Sequence, residues 1–278
     1  MHILIIGAGN VGTNLARLAA HRDLSVTLWN PEPTSTMTQE LLGKCKNLVS
    51  VVNDTPEGVF DLALLAVPES DLAEAATRVI AWPGLSGTAI AHTSGSVGPF
   101  DADEVTVGVC HPAFAFPSPG LPIEDLAEMA VLIDGPEEVK GKCKEFLDEC
   151  KIVAVEAPGR DALLYHTACV TAANFLSLLG AETENLFTAA SVPAESQRPL
   201  IRSLMKSVLA QAVEQPFQAT LTGPAARGDS GTVITEAIHL ADHHPEFFSL
   251  FLEANLRIAA LTDNQKLVET IENWLETE

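Results

Sequence analysis

The chain of 278 residues is poor in cysteine, in basic side chains and in aromatic side chains. Its five cysteines are odd in number and include no C-x-x-C pair, which argues against a disulfide framework and against a zinc ribbon. Sixteen basic residues face 37 acidic ones, and the net charge of −21 disfavours nucleic acid and anionic membranes as partners. An anionic ligand would therefore depend on a local cation or on backbone N–H groups.

Long apolar runs and a basic leader are missing as well. No run approaches the roughly 18 consecutive apolar residues that span a bilayer, and no basic stretch precedes the first apolar segment, so we predict no signal peptide. The adjacent His243 and His244 lack the spacing of metal ligands, and we predict no metal site. We expect a cytoplasmic protein whose cysteines are reduced and buried.

Two patterns of apolar residues divide the sequence. In the first, short apolar runs alternate with amphipathic segments, which is typical of a mostly parallel sheet built from β-α-β units. The predicted strands are Ile3–Ile6, Ser25–Trp29, Leu48–Val52, Leu62–Val67, Thr88–His92, Thr106–Cys110, Ala130–Ile133 and Ile152–Val155. The predicted helices between them are Val11–Ala20, Asp71–Ile80 and Glu137–Glu149.

From Arg160 onward the apolar residues follow helical spacing alone. The predicted helices of this half are Ala162–Ala190, Ala194–Gln215, Thr232–Ala241, Glu246–Leu261 and Asn264–Glu276. Prolines stand where most of these helices should begin or end. We predict an α/β domain of about eight mostly parallel strands over residues 1–157, followed by an all-α domain over residues 158–278.

A glycine motif follows the first predicted strand and opens the first predicted helix. It reads Gly7-Ala8-Gly9-Asn10-Val11-Gly12, the G-x-G-x-x-G spacing of a Rossmann dinucleotide site. Gly7 would form the tight turn, Gly9 would let the backbone approach the pyrophosphate, and Gly12 would let helix and strand pack closely. Unpaired N–H groups at the helix start would meet the phosphates. A glycine-rich turn without a ligand is the alternative, and the context favours the cofactor site.

The second predicted strand ends at Asn30, where an NAD-binding domain carries an Asp or Glu for the ribose 2′-hydroxyl. Without that carboxylate a 2′-phosphate is not repelled, and the hydroxyls of Thr34, Ser35 and Thr36 could bind it. We therefore favour NADP as the cofactor, with NAD as the alternative. The segment directly after Asn30 has no arginine that could bind the phosphate, and the negative charge of Glu32 would repel it. A plain turn role for Asn30 is an equal alternative.

Two more strand ends should line the same cleft, because parallel strands present their carboxyl ends at one edge of the sheet. Ala66-Val67-Pro68 ends the fourth predicted strand, and His92 ends the fifth. We predict that these residues contact the cofactor. A proline-terminated strand followed by a capped helix explains the first group equally well.

Substrate-binding side chains are predicted just beyond these strand ends. The hydroxyls of Ser94 and Ser96 could bind a carboxylate or carbonyl oxygen, and His111 ends the sixth predicted strand. A histidine at such a position is either a proton donor or a hydrogen-bonded strand-end residue. For His92 and His111 taken singly, the second alternative is favoured.

The first helix of the second half carries a polar stripe. At about 100° per residue, His166, Asn174 and Ser177 fall within one quarter of the helix, with Val170 among them. Buried polar side chains need partners, which are either another helix or the substrate and nicotinamide. We favour the second, and predict His166 and Asn174 as catalytic residues.

A glycine-rich segment, Leu221–Thr232, supplies a basic residue before another predicted helix. Arg227 and the N–H groups near Thr232 would form a corner that binds a carboxylate. In the alternative, Asp229 caps the helix and pairs with Arg227. The sequence favours neither.

Together these segments resemble the Rossmann oxidoreductases with a helical C-terminal domain, distant relatives of 6-phosphogluconate, 3-hydroxyisobutyrate and prephenate dehydrogenases, pyrroline-5-carboxylate reductase and ketopantoate reductase. The resemblance rests on Gly7–Gly12, Ala66–Pro68, His92–Ser96, His111-Pro112, Tyr165–Asn174 and Leu221–Thr232. It implies a homodimer and a 6-phosphogluconate dehydrogenase-like architecture. It also implies an NADPH-dependent activity such as that of the alternative type of ketopantoate reductase.

One position departs from that resemblance. In the hydroxyacid dehydrogenase relatives, a lysine one helical turn before an asparagine acts as general acid. Asn174 matches the asparagine, but Val170 stands where the lysine is expected. His166, one turn further back, is the substitute proton donor that the sequence offers.

The sequence supports three hypotheses about function. In the first, NADPH reduces the carbonyl of a small 2-oxo acid such as ketopantoate, with His166 donating the proton, Asn174 and Ser94 holding the reacting oxygen and Arg227 binding the carboxylate. In the second, the substrate is a cyclic imine of the pyrroline-5-carboxylate type, for which His166 matters less. In the third, the chain is an NADP-binding sensor module without turnover.

Overall fold

A computed structural model describes residues 1–32, 34–45 and 48–276. The chain divides into two compact units, Met1–Phe175 and Leu176–Glu278. The predicted division after residue 157 follows the last strand, whereas the first unit continues through Phe175. Side-chain contacts of Arg160 and Tyr165 with the sheet explain the difference, because they hold the next helical turns to the first unit.

The first unit is built on a sheet of nine strands among the described residues. The strands are β1 (His2–Ile6), β2 (Ser25–Trp29), β3 (Val49–Val52), β4 (Leu62–Leu65), β5 (Ala89–His92), β6 (Phe100–Ala102), β7 (Val105–Ala113), β8 (Ala130–Asp134) and β9 (Val153–Glu156). Their order is β3-β2-β1-β4-β5-β7-β8-β9, and β6 pairs with β7. The pairs from β3 to β7 and the pair β8–β9 are parallel, while β7–β8 and β6–β7 are antiparallel. The predicted α/β fold class is confirmed.

Helices cover both faces of this sheet. They are α1 (Asn10–His21), α2 (Thr36–Gly43), α3 (Leu72–Ile80), α4 (Ile123–Leu126) and α5 (Glu137–Cys150). Because side chains alternate along a strand, Ile3 and Ile5 of β1 pack into one core cluster and Leu4 and Ile6 into another. Burial on both faces explains why the central strands read as continuous apolar runs. Helix α2 was not predicted from the sequence.

None of the five cysteines forms a disulfide. Cys110, Cys143 and Cys150 are buried in the first unit, while Cys45 and Cys169 are half-buried. Burial raises the pKa of the Cys150 thiol to about 12. These buried thiols behave as small apolar core side chains, as the sequence interpretation expects.

The helix predicted over Ala162–Ala190 is present but not uniform. It consists of α6 (Ala162–Val170), a π-helical turn (Thr171–Phe175) and α7 (Leu176–Ala189). A π-helical turn uses i→i+5 hydrogen bonds and therefore holds more residues than an α-helical turn. The regular angular spacing does not continue across it, so the predicted alignment of His166, Asn174 and Ser177 does not follow.

This continuous helix, Ala162–Ala189, is long and apolar enough to cross a membrane, by length and composition only. The mean hydropathy of its apolar window is 1.4, and none of that window is buried. The sequence interpretation missed it because polar residues interrupt the apolar run. One helix of this kind is weak evidence for a membrane protein.

The second unit contains α7, five further α-helices and a short 3-10 helix, Phe217–Thr220, among its described residues. The further α-helices are α8 (Ala194–Ala212), α9 (Pro224–Arg227), α10 (Ser230–His243), α11 (Pro245–Leu261) and α12 (Gln265–Leu275). Its core is formed by residues of α9 to α12, which include Val233, Ala259 and Ile271. No residue of α7 is buried, and in α8 only Gln197 is. The apolar side chains of α7 and α8 are therefore exposed or half-buried.

Candidate functional site

The glycine turn after β1 has the geometry that its sequence predicts. Gly7 has a φ of +105° and donates its N–H to the Trp29 carbonyl at 2.8 Å. A Cβ on Gly7 would strike the Ala66 carbonyl oxygen, and a Cβ on Gly12 would strike the Gly7 carbonyl oxygen. A Cβ on Gly9 would have no neighbour within 4 Å. The turn thus needs Gly7 and Gly12 for packing and leaves the backbone at Gly9 open to a ligand.

Helix α1 begins beside this open backbone. Its N-cap residue is Gly9, and among the described residues no side-chain hydrogen bond caps the start of the helix. The side chain of Asn10 is turned elsewhere and donates to the Phe116 carbonyl at 2.9 Å. The first backbone N–H groups of a helix have no partner within it, and together with the helix dipole they favour an anion. Asn10 and Val11 therefore fit phosphate binding through their backbone.

A cavity of about 350 Å³ lies at this turn. Its lining includes seven residues of the predicted cofactor site, Gly7, Ala8, Gly9, Asn30, Ala66, Val67 and Pro68. They come from the carboxyl ends of β1, β2 and β4, where open α/β sheets bind nucleotides. A larger cavity of about 780 Å³, lined by residues such as Leu85, Thr88 and Val105, contains no predicted site residue and lies where β5 and β7 begin.

Asn30 holds the turn that follows β2. Its Oδ1 accepts the Ala8 N–H at 3.2 Å, and its Nδ2 donates to the Glu32 carbonyl at 2.7 Å. Asn53 donates to the carbonyls of Asn30 and Glu32 at 2.9 and 3.0 Å. The turn role that the sequence left open is therefore real, although Asn30 also lines the cavity.

Arg78 of α3 is a cavity residue that the sequence interpretation missed. Its guanidinium carbon lies 5.9 Å from the centroid of the Trp29 ring, and its Nη2 lies 2.6 Å from Glu74 Oε1. Trp29 also contacts Trp82, with ring centroids 5.0 Å apart. Arg78 is far from the glycine motif in sequence, and only the packing of α3 beside β4 brings it to the cavity.

The predicted substrate ligands Ser94 and Ser96 face an acidic side chain. Ser94 Oγ donates to Glu69 Oε2 at 3.3 Å, Ser96 Oγ donates to the same oxygen, and the two hydroxyls are 3.0 Å apart. Glu69 follows β4, and the pairing of β4 with β5 brings it to the serines. A carboxylate substrate at this position would meet like charge, which is unfavourable. The prediction that these serines bind a substrate carboxylate is not supported.

The predicted cofactor contact through the His92 side chain is not supported either. Its ring is fully buried and stacks on Phe100 at 5.6 Å, while Nε2 donates to the Gly98 carbonyl at 3.1 Å. Burial lowers the pKa of His92. His92 is thus a strand-end residue inside the unit, the alternative that the sequence favoured.

His111 and Tyr165 form a second polar group in the first unit. His111 Nδ1 lies 2.8 Å from the hydroxyl oxygen of Tyr165, the only tyrosine of the chain. Nε2 lies 2.8 Å from the position that a Cβ on Gly95 would take, so only glycine fits beside this ring. The loop of small residues after β5 therefore makes room for His111.

Arg160 and Asp134 are packed beside this pair. Arg160 Nη1 donates to Asp134 Oδ2 at 2.6 Å, and the guanidinium carbon lies 5.2 Å from the centroid of the Tyr165 ring. The two ion-pair side chains are only 7% and 15% exposed. Arg160 Nε and Nη2 are buried without a hydrogen-bond partner among the described residues. The sequence interpretation missed this pair.

The surroundings of these groups set their protonation. Burial, with the charges of His166, Arg160 and His92, lowers the pKa of His111 to about 4. Burial and a hydrogen bond with Cys169 raise the pKa of Tyr165 above its usual value. At neutral pH the imidazole of His111 is uncharged and Tyr165 keeps its proton.

The predicted catalytic residues lie at the end of the first unit. His166 is half-buried on α6 and is close enough to His111 to lower its pKa. Asn174 is exposed and belongs to the π-helical turn, a feature that occurs frequently at functional sites. The proton-donor role of His166 and the role of Asn174 stay predictions.

Arg227 and Thr232 belong to the second unit. Asp229 caps α10, because its carboxylate accepts the Thr232 N–H at 3.1 Å and the Thr232 hydroxyl at 2.8 Å. These hydrogen bonds lower the pKa of Asp229. The capping alternative is therefore confirmed for Asp229, while Arg227 is exposed and its role as a carboxylate ligand stays a prediction. No group of three potential metal ligands occurs among the described residues.

Comparisons with known proteins agree with this architecture. Residues 129–257 match the family model described as a domain of unknown function, DUF2520. No curated protein sequence matches the chain. A Bacteroides fragilis structure assigned by inference as an NADP oxidoreductase aligns with a TM-score of 0.74 and 22% identity, covering 93% of this chain and 98% of the other.

Two further solved structures share most of their length with the chain. A Thermotoga maritima protein aligns with a TM-score of 0.70 and 18% identity, over 95% of this chain and 99% of the other. The pyrroline carboxylate reductase of Plasmodium falciparum with NADP bound aligns with a TM-score of 0.61 and 13% identity, over 94% and 100%. The chain thus has the fold of these proteins, a Rossmann domain followed by a helical C-terminal region.

Proposed function

We propose that the chain is an NADP-dependent oxidoreductase that reduces the C=O or C=N bond of a small molecule. The observation that carries this proposal is the cavity at the glycine turn, where Gly9 leaves the backbone open and α1 begins without a side-chain cap, an arrangement that favours binding of an anion. A glycine turn alone is also compatible with a sensor. The likeness to an NADP-bound reductase and to an inferred NADP oxidoreductase favours turnover.

The residues of the first unit would position the cofactor and move a proton. NADPH supplies the hydride when bound. Gly9, Asn10 and Val11 would hold its pyrophosphate through backbone N–H groups, and Pro68 with Val67 would line the adjacent part of the cleft. His166 would donate the proton to the reduced atom, and Asn174 would hold the reacting oxygen.

The first candidate substrate is a small 2-oxo acid such as ketopantoate. Its support is the resemblance of the segments around His111 and Tyr165 to the alternative ketopantoate reductases, and Arg227 would bind the carboxylate. A neutral His111 and a protonated Tyr165 suit this candidate, because this hydrogen-bonded pair carries no negative charge that would repel the substrate carboxylate.

A cyclic imine is the second candidate, and a specific contact favours it. The Glu69 carboxylate accepts from both Ser94 and Ser96, which makes this corner of the unit suited to a protonated iminium group. A 2-oxo acid has no positive charge to match Glu69. The two candidates therefore differ in their dependence on this side chain.

The test is NADPH oxidation with ketopantoate and with 1-pyrroline-5-carboxylate, in the wild type, in Glu69→Gln and in His166→Ala. We expect Glu69→Gln to raise kcat/KM for ketopantoate and to lower it for the imine, since it removes one negative charge. Loss of turnover in His166→Ala with ketopantoate would support its role as proton donor. Tight NADPH binding without turnover on any small acid or imine would support the sensor module instead.

We also propose that the protein is a cytoplasmic homodimer whose interface includes α7 and α8. The exposed apolar side chains of these helices include Leu178, Leu179, Leu200, Leu204 and Leu209. Exposed apolar side chains on two helices that contact each other are typical of an interaction surface. Sedimentation of the wild type should give a dimer, and Leu204→Glu should give a monomer. A monomeric wild type that binds lipid vesicles would favour insertion of the apolar helix into a membrane.

A further inference from the structure

The nucleotide cavity contains a cation that lies outside the glycine motif. Arg78, on α3, lines the cavity together with Gly9 and Asn30. It is the only basic residue among the described residues that line this cavity, and the chain as a whole carries a net charge of −21. A dianionic group entering the cavity therefore depends on Arg78 more than on any long-range attraction.

The polar groups after β2 are already in use. Both ends of the Asn30 amide are bonded to the backbone, at Ala8 and Glu32. Ser35 is the N-cap of α2, since its hydroxyl accepts the Thr38 N–H at 3.2 Å and donates to the Thr38 hydroxyl at 3.0 Å. The loop that usually supplies the ligands of a ribose 2′-phosphate, residues 30–36, thus has two of its polar side chains engaged, and its sequence contains no basic residue that could pair with the phosphate.

Arg78 itself is held in a way that permits exchange. Its guanidinium lies near the Trp29 ring and pairs with Glu74 one helical turn earlier. The two side chains are 47% and 76% exposed, and exposed pairs of this spacing contribute little to stability. A phosphate can replace Glu74 at little cost, because a planar guanidinium binds phosphate through two parallel N–H···O bonds.

We propose that Arg78 recognises the ribose 2′-phosphate of NADP and that Glu74 is the internal carboxylate that this phosphate displaces. The inference rests on the proposed cofactor and adds the residue that selects it. Glu74 and Asp71 also line the cavity, so Arg78 works against two negative charges. Glu74 would compete for Arg78 when NADP binds and could accept the 2′-hydroxyl when NAD binds.

The experiment is isothermal titration of the purified full-length protein with NADPH and with NADH. Arg78→Met keeps the apolar stem and removes the charge, Arg78→Lys keeps the charge without the planar fork, and Glu74→Gln frees Arg78. Arg257→Met is the matched control, because Arg257 and Glu253 form the same kind of exposed i,i+4 pair at 3.0 Å on α11. Circular dichroism checks that each variant is folded.

We expect Arg78→Met to weaken NADPH binding by about tenfold to a hundredfold, as for loss of a hydrogen bond to a charged group, and to leave NADH binding nearly unchanged. Arg78→Lys should retain part of the preference for NADPH, and Glu74→Gln should increase it. Added salt should reduce the preference in the wild type more than in Arg78→Met. Arg257→Met should bind both nucleotides like the wild type.

Three results would overturn the inference. An unchanged preference in folded Arg78→Met would mean that other groups bind the 2′-phosphate. Equal weakening of NADPH and NADH would assign Arg78 to the adenine ring or to the shape of the cavity near Trp29. If the wild type binds neither nucleotide, both the proposed cofactor and the role of Arg78 are wrong. The first two results contradict the role of Arg78 alone, so the two kinds of failure can be told apart.

Discussion

Removing the charge of Arg160 tests whether a buried ion pair holds the start of α6 to the sheet. In Arg160→Met the apolar stem remains, while Asp134 loses a partner at 2.6 Å in surroundings where the two side chains are 7% and 15% exposed. Breaking a buried pair costs about 3–5 kcal/mol of unfolding free energy. Asp134 keeps the Gly135 N–H at 2.8 Å, so we expect about 3 kcal/mol, the lower end of that range.

The assay is urea unfolding of the full chain, followed by circular dichroism, for Arg160→Met, Asp134→Asn and the double variant. The double variant removes both charges and should lose about 3 kcal/mol, no more than either single variant, which gives a coupling energy of about 3 kcal/mol in a double-mutant cycle. Single-variant losses below about 1 kcal/mol, the value for an exposed pair, would refute the reasoning. So would losses that simply add in the double variant.

Three further predictions concern single side chains. Because burial raises its pKa, Tyr165 should ionise above pH 10 when the phenolate absorbance is titrated, and Tyr165→Phe should lose the whole signal; a midpoint below pH 10 would contradict this. For His111, protonation favours the unfolded chain between its ordinary pKa of about 6.5 and its folded pKa of about 4, so stability should fall as pH falls through this range. His111→Asn should flatten that part of the profile of urea midpoint against pH, and an unchanged slope would assign it to other groups. Gly12→Ala should lose about 1–3 kcal/mol of stability, because its Cβ strikes the Gly7 carbonyl, whereas Gly9→Ala should keep stability and weaken nucleotide binding; equal stability of the two variants in urea would contradict the packing argument.

The sheet could be predicted because its strands carry their own signal. The strand Ser25–Trp29 was predicted with its observed bounds, since its four buried residues are β-branched, aliphatic or aromatic, the types that favour strands. The strand Phe100–Ala102 was missed, because three residues with an exposed Asp101 between them show no recognisable pattern. Helix Thr36–Gly43 was missed for a similar reason, since few of its residues are buried.

The cofactor-binding end of the site could also be predicted, because its signal is local in the sequence. The roles of Gly7, Gly9 and Gly12 follow from turn geometry and from contacts with neighbouring segments of one β-α-β unit. The contacts of Arg78 and Glu69 were not predictable in this way. They depend on which strands are neighbours and on how α3 is rotated, and neither is encoded in a short motif.

The helix that carries His166 and Asn174 shows the limit of a helical-wheel prediction. A wheel assumes one angle per residue, and the π-helical turn Thr171–Phe175 breaks that assumption between His166 and Ser177. The sequence indicates Tyr165, next to His166, only through the resemblance to a known family. Its bond to His111 joins residues that are remote in sequence, and only the structure reveals it.

The Trp29 side chain gives the protein an internal optical reporter. Two of its three tryptophans, Trp29 and Trp82, contact each other, and Trp29 lines the nucleotide cavity. Tryptophan emission overlaps the absorption of a reduced nicotinamide, so a reduced nucleotide bound near Trp29 would accept its excitation energy and quench its emission. The third tryptophan, Trp274 on α12, belongs to the second unit and packs near Phe248, which gives it separate surroundings. Occupancy of the cavity could therefore be followed in the unlabelled protein, with Trp29→Phe and Trp82→Phe assigning the signal to this tryptophan pair.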